Sequence, residues 1–406
     1  MSDFYAPADG DAPLNPTTPR PVAAWLSRRH GPFRNWEIAV WSLLLVLGLT
    51  AVIVWRAQSP ATVNYYAITP GQAQSVAPFI EVPPSFSQKA EGKILLTDVY
   101  LVGPLNTSNL KTYRNNPDDE VISSTDLLGP STPESQYLTQ GYLDMTQAQS
   151  DATSAALTHL GYTVQGQNAG VMVYGITPGT EAANEISVGQ IVTKVNGRPT
   201  PTDCSLLVAL HGMRPRAKAT LSVENSSVDN VGNFVSGPVS DKTVTLQRPP
   251  ANEPTVTGCG PAFKPTAIIG FQPDPSQWVN WKFPVKVTVH TTNIGGPSAG
   301  LAMTLGIIDK LSDGRLIGNH TVAATGTIDA KGNVGDVGGV PQKTLAVERA
   351  GATVFFVPVQ ELAAAKSKAT PKLHVYAVST LDQALAILER MGGKVPPKHV
   401  PVEAAP

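Results

Sequence analysis

Residues 285–300 read VKVTVHTTNIGGPSAG, residues 301–313 read LAMTLGIIDKLSD, and residues 324–343 read ATGTIDAKGNVGDVGGVPQK. The segment 285–289 alternates apolar and polar side chains and is rich in Val, which predicts a strand, whereas 299–311 carries apolar residues at helical spacing. Ser298 therefore falls in the turn where a strand hands over to a helix. At a helix N-terminus unpaired N–H groups and the positive end of the dipole face outward, which suits an oxyanion forming beside a nucleophilic hydroxyl. Backbone N–H groups at Gly296 and Ser298 are the candidate oxyanion hole, and Gly295, Gly296 and Gly300 allow close approach.

A serine nucleophile needs a base. The run Gly296–Gly300 formally satisfies G-x-S-x-G, the elbow of α/β-hydrolases, whose histidine follows downstream, and His320, His374 and His399 do follow. Against an esterase of that kind, only 108 residues remain after Ser298 (406 − 298), and His399 lies in a Pro-rich tail. The other candidate is Lys343, which opens the predicted helix KTLAVERAG, since Ser-Lys dyads are a known variant of the triad. A lysine with a reference pKa of ~10.4 can act as a base near neutral pH only if burial brings it towards ~7–8. Leu345, Ala346 and Val347 offer an apolar setting. The ordinary alternatives are a surface lysine and a helix-capping serine.

GPSAG around Ser298, TGTID from Thr325 and GGVPQK ending at Lys343, in this order, resemble the proteolytic domain of the Lon peptidases. AGATVFFVPVQE, LHVYAVST and LDQALAIL resemble the elements that close that domain, and the likeness covers about 265–392. The resemblance implies that Ser298 is the nucleophile, Lys343 the general base and Thr325 the hydroxyl that holds the lysine. One departure is Gly295, at a place where many Lon enzymes have an acidic residue.

Upstream, residues 171–200 read VMVYGITPGTEAANEISVGQIVTKVNGRPT, a strand, a Pro-Gly turn, a short helix, a second strand and an Asn-Gly turn. With SLLVALHGM (205–213) as a helix, this resembles a PDZ domain over 161–248, with Gly189-Gln190 where Gly-Asp is usual. PDZ domains bind peptide ends by strand addition, so Val171 and Val173 on the strand and Leu206 and Leu210 on the helix are the expected groove. Alternatively, the fold serves only as a spacer or dimer contact. The Pro-rich segment 249–265 predicts a partly stiff linker. Cys204 and Cys259 are the two cysteines, candidates for a disulfide or for two buried thiols.

The remaining expectations concern the N-terminal part and the whole. Residues 1–37, rich in Pro, predict a disordered cytoplasmic tail, and the uncharged run 38–55, IAVWSLLLVLGLTAVIVW, predicts a transmembrane helix over 38–57. Arg20, Arg28, Arg29 and Arg34 before the run, against Arg56 alone just after it, place the N-terminus in the cytoplasm and the rest outside. Residues 60–160 read as a membrane-proximal α/β collar without chemistry, and 393–406 as a disordered tail. The fold class expected is a multidomain α/β (α+β) chain: one N-terminal transmembrane helix, a PDZ domain and a Lon-type proteolytic domain at 266–392. Net charge is −1 with 15% charged residues, which gives no electrostatic footprint for nucleic acid. Cys and His do not cluster at metal-ligand spacing, and no cofactor is expected. No G-x-x-x-x-G-K-[ST] occurs, so ATP is not expected as a partner. The resemblance as a whole is to membrane-anchored, PDZ-containing Lon-like peptidases. It implies an ATP-independent endopeptidase whose partners are unfolded or tail-exposed proteins and peptides, and a homo-oligomer, a hexamer by analogy with Lon. The rival is a catalytically silent, membrane-tethered PDZ adaptor.

Overall fold

The computed structural model describes residues 40–50, 62–86, 90–129, 132–228, 234–274, 278–291 and 294–397. The chain divides into two units, Met1–Pro60 and Ala61–Pro406. In the first, the described residues 40–50 are helical. Among the described residues no helix is long and apolar enough to cross a membrane. The expected transmembrane helix, and with it the single-pass membrane localisation and the outside placement of the peptidase, is therefore overturned. Residues 38, 39 and 51–57 of the predicted span, the tail 1–37 and residues 398–406 lie outside the described residues.

The second unit begins with strands β1 (Tyr65–Ser75), β2 (Lys93–Val102) and β3 (Glu120–Ser123), followed by the long helix α1 (Glu134–His159). Next come β4 (Val171–Ile176), β5 (Ile191–Val195), helix α2 (Asp203–Leu210), β6 (Lys218–Val228), β7 (Phe234–Thr245) and β8 (Phe271–Pro273). The chain then continues through helix α3 (Gly300–Leu311), β9 (Thr321–Ala324), the short pair β10 (Thr327–Ile328) and β11 (Val334–Gly335), and helix α4 (Val340–Arg349). It closes with β12 (Val354–Pro358), β13 (His374–Val378) and helix α5 (Leu381–Arg390).

Among the described residues, one sheet has the order β13-β12-β9-β2-β1-β3. Its strands β13, β12, β9 and β2 run parallel, and β1 and β3 are antiparallel additions. The run VFFVP of β12 is buried at every position, as a parallel strand covered on both faces must be. Helix α3 is apolar on all sides, with residues 300–309 and 311 buried, and lies in the centre of the domain. The small residues Ala148, Ala152, Ala155 and Ala156 of α1 share one core with Leu301, Leu305 and Ile308 of α3.

The stretch 60–160 is thus no separate collar. Strand β2 pairs with β9 in the register Leu95↔Ala323 and Leu96↔Ala324, and α1 covers the central helix. A parallel pairing between segments so far apart leaves no local pattern in either one.

A second sheet, order β7-β6-β5-β4-β8, formed by the stretch expected as a PDZ domain, is inserted into this domain. Its stem is an antiparallel ladder between Gln165–Asn168 and Val279–Lys282. The inserted body extends past the predicted limit at 248, because β8 pairs antiparallel with β4. Segment 249–265 is likewise more than a connector: Val256 pairs with Phe263, Phe263 packs on His211, and a disulfide joins Cys259 to Cys204 in the first turn of α2.

Candidate active site

Strand β9 ends beside the middle of β2: their pairing stops at Leu96 and Ala324, and β2 runs on to Val102 paired with β1. The next residues of β2, Thr97 and Asp98, line a cleft beside the point where β9 ends, and Thr325 follows β9 directly.

Ser298 lines the same cleft from a single 3-10 turn, Pro297–Ala299, directly before α3. The turn is tied down by its backbone. Gly326 N–H donates to the Ser298 carbonyl (2.9 Å), Leu301 N–H donates to the Gly326 carbonyl (3.1 Å), and Thr325 Oγ1 donates to the Ser298 carbonyl (3.2 Å). The Ser298 side chain does not cap the helix. Gly300 must lack a side chain, since a Cβ there would lie 2.9 Å from the backbone nitrogen of Ile328.

Lys343 enters from the opposite side in the first turn of α4. The helix starts at Gly339, whose φ of 68° and closeness to Val99 favour glycine, and Pro341 pre-sets its first turn. Lys343 is 3% exposed, and its Nζ donates to Thr325 Oγ1 at 3.4 Å. Burial pushes its ammonium down from 10.5 to about 8, while the carboxylates of Asp98 and Glu361 pull the other way. A cation in the first turn of a helix also meets the positive end of the dipole. Ser298 and Lys343 line one cleft of about 150 Å3, together with Thr97, Asp98, Val99, Tyr100, Ile294, Gly295 and Ala299. The histidines are elsewhere: the His320 ring pairs with the Met391 carbonyl, His374 is exposed at the start of β13, and His399 lies outside the described residues.

The expected oxyanion hole needs one correction. Gly296 N–H donates to the Gly141 carbonyl of α1 at 2.7 Å, so it does not face the cleft as a free donor. Pro297 has no N–H. Ser298 N–H, at the second position of its turn, is the donor that a helix start leaves unpaired.

Residues 269–389 match the Lon protease (S16) C-terminal proteolytic domain. The chain carries a Lon-type serine peptidase domain. Over 96 residues it is 36% identical to Lon protease of Koribacter versatilis, covering 23% of this chain and 12% of that one. It is 43% identical over 65 residues to Lon protease of Clostridium acetobutylicum, with 16% of this chain and 8% of that one covered. Against Lon protease 1 of Sorangium cellulosum the identity is 36% over 94 residues, with 22% and 11% covered. The chain thus spans about a tenth of the length of these Lon relatives. A solved structure, the PDZ domain of the SdrC-like protein from Listeria monocytogenes, aligns with 26% of this chain and 87% of its own, at 13% identity and a TM-score of 0.19.

Around the Lon-type site lie residues that sequence reasoning missed. Thr97 and Asp98 come from the supposed collar, as does Gly141, which packs against Gly295 closely enough that a Cβ at 295 would lie 3.3 Å from the Gly141 backbone. A second cleft, of about 510 Å3, flanks the nucleophile turn at Pro297 and is lined by Asp144, Asp151, Asp274 and Asp329. Burial raises Asp144 to about 6, against the Tyr174 hydroxyl that donates to it, and raises Asp151 to about 7, with Asp329 and Asp274 adding to the rise. No local motif announces this group, whose members come from three distant segments. Among the described residues no cluster of His, Cys, Asp and Glu could hold a metal ion.

In the PDZ-like body Val171 and Val173 on β4, and Leu206 and Leu210 on α2, are all core residues. The edge of β4 expected to receive a peptide already carries β8, in the register Phe271↔Ile176 and Gln272↔Gly175. The outer strand on that side is β8 itself.

Proposed function

We propose that the chain is an ATP-independent serine endopeptidase working through a Ser298–Lys343 dyad. The neutral Lys343 amine takes the proton of Ser298 Oγ as that oxygen attacks the scissile carbonyl carbon. The oxyanion is met by Ser298 N–H, the lysine ammonium returns its proton to the departing amine, and water then releases the acyl group from Ser298. Thr325 holds Lys343 by the hydrogen bond described above. The observation that carries this reading is a lysine 3% exposed, held at about 8 by burial and opening onto the same cleft as Ser298. A structural lysine gains nothing from such a position, and a base requires it.

Protein substrates reach the cleft through the PDZ-like body, with an extended tail added to the outer edge of β8 rather than to β4. In support, this body rests on α1 near the catalytic turn. Gln140 Nε2 donates to the Tyr174 carbonyl (2.8 Å) and Ile176 N–H donates to Gln136 Oε1 (3.2 Å), one turn from the Gly141 carbonyl that holds Gly296. Independence from ATP rests on the absence of a P-loop in these 406 residues and on substrates that need no unfolding.

The test is covalent labelling of the full chain with a fluorophosphonate, read by peptide mass. A single adduct on Ser298, lost in Lys343→Ala, is expected. An adduct on another residue, or full labelling of Lys343→Ala, would refute the dyad.

A further inference from the structure

The cleft contains one polar group without a hydrogen-bond partner and one with donors to spare. Thr97, on β2, is 2% exposed, lines the cleft with Ser298 and Lys343, and its Oγ1 has no hydrogen-bond partner among the described residues. A buried hydroxyl without a partner costs about 1–3 kcal/mol, so its presence calls for an explanation. Lys343 Nζ, in the same cleft, makes one hydrogen bond, to Thr325 Oγ1. An ammonium has three N–H groups and a neutral amine has two. Asp98 also lines the cleft, and its Oδ1 accepts from Gln72 N–H at 2.6 Å.

We propose that Thr97 is a positioning residue for Lys343, its hydroxyl accepting the second N–H of the amine while Thr325 accepts the first. The inference rests on the Ser298–Lys343 reading. Its physical content is directional. A neutral amine has two N–H bonds and one lone pair in a near-tetrahedral arrangement. With one acceptor it is free to turn about its last bond, and the lone pair points at Ser298 in only some orientations. With two acceptors, Thr325 just after β9 and Thr97 on the adjacent parallel strand β2, both N–H bonds are committed and the lone pair is left facing the nucleophile. The lysine has to turn its second N–H across the cleft to close this pair. Thr97 takes no part in the proton transfer itself and acts through the orientation of Lys343.

A single net hydrogen bond within a fold corresponds to about a 3- to 10-fold effect. Thr97→Val keeps the shape and removes the hydroxyl, and Thr97→Ser keeps the hydroxyl. In the full chain, with a fluorogenic peptide, Thr97→Val is expected to lower kcat about 3- to 10-fold with KM unchanged, and Thr97→Ser to restore it. Loss of an acceptor for the ammonium also moves the alkaline-rising limb of the kcat profile to lower pH, against the background of Asp98 and Glu361, which stay in place. The melting temperature of Thr97→Val is expected to hold or rise, because an unpartnered buried hydroxyl is removed. Unchanged kcat and pH limb in Thr97→Val would overturn the proposal. So would loss of the fold in Thr97→Val, which would show that the hydroxyl serves folding. Lys343→Ala in the same assay separates the two levels: if it stays active, the dyad itself fails, whereas an inactive Lys343→Ala beside a fully active Thr97→Val refutes only the role of Thr97.

Discussion

Exchanging Lys343 for Met keeps an unbranched side chain of similar length at a site only 3% exposed and removes the charge. A lysine whose pKa is lower in the folded than in the unfolded chain costs stability in full below the folded value, and the cost fades as pH rises to the unfolded value. For Lys343 that window runs from about 8 to 10.5. The drop, at ~1.4 kcal/mol for each pKa unit, amounts to ~3 kcal/mol at pH 7. The exchange also removes the hydrogen bond to Thr325, worth ~1 kcal/mol, but Thr325 keeps its bond to the Ser298 carbonyl. Lys343→Met should therefore be ~2 kcal/mol more stable than the parent at pH 7 while having lost hydrolysis. Urea unfolding followed by tryptophan fluorescence at pH 7 and again near pH 10.5 measures this. The gain should vanish at the higher pH. A variant no more stable than the parent at pH 7, or a gain equal at both pH values, would refute the claim that burial strains this lysine.

Three further outcomes follow from the geometry. Asp98→Asn removes a carboxylate that favours the Lys343 ammonium, so the alkaline-rising limb of kcat should move to lower pH, as a pH–rate profile would reveal. Gly141→Val places a side chain whose Cβ starts 3.6 Å from the Gly296 nitrogen; displacing the nucleophile turn by ~1 Å should cut peptide hydrolysis on the order of 100-fold, with melting temperature as the control. Replacing both Cys204 and Cys259 by Ser opens a loop with a sequence separation of 55 and should destabilise the PDZ-like body by about 2–4 kcal/mol, while hydrolysis of a short peptide persists.

The residues of the proposed dyad could be picked out because each lies in a local pattern: Ser298 in GPSAG before an apolar helix, Lys343 at a helix start after two glycines, Thr325 in the motif between them. Their surroundings were not, because they depend on long-range pairing. Nothing in KILLTDVY tells that Thr97 and Asp98 will line one cleft with Ser298 and Lys343, since the parallel register of β2 on β9 is set by burial of both faces and not by a turn. The same holds for α1, whose alanines read as an ordinary helix and whose Gly141 turns out to occupy the Gly296 N–H. Gly295, read as a departure, is the residue that lets α1 pass so close. Strand β8, hidden beside prolines in what reads as linker and entry, closes the PDZ-like sheet and takes the edge expected for a ligand. The uncharged run near the N-terminus shows the limit of composition: apolar character suggested a span, and among the described residues no helix is long and apolar enough to cross a membrane.

The central claim is that Ser298 and Lys343 together cleave peptide bonds without ATP. Its most direct test is degradation of an unfolded model protein by the full chain in the absence of nucleotide, beside Ser298→Ala and Lys343→Ala. The account predicts fragments from the parent alone. Fragments from Lys343→Ala at the parental rate, or from the parent only when ATP is added, would contradict it.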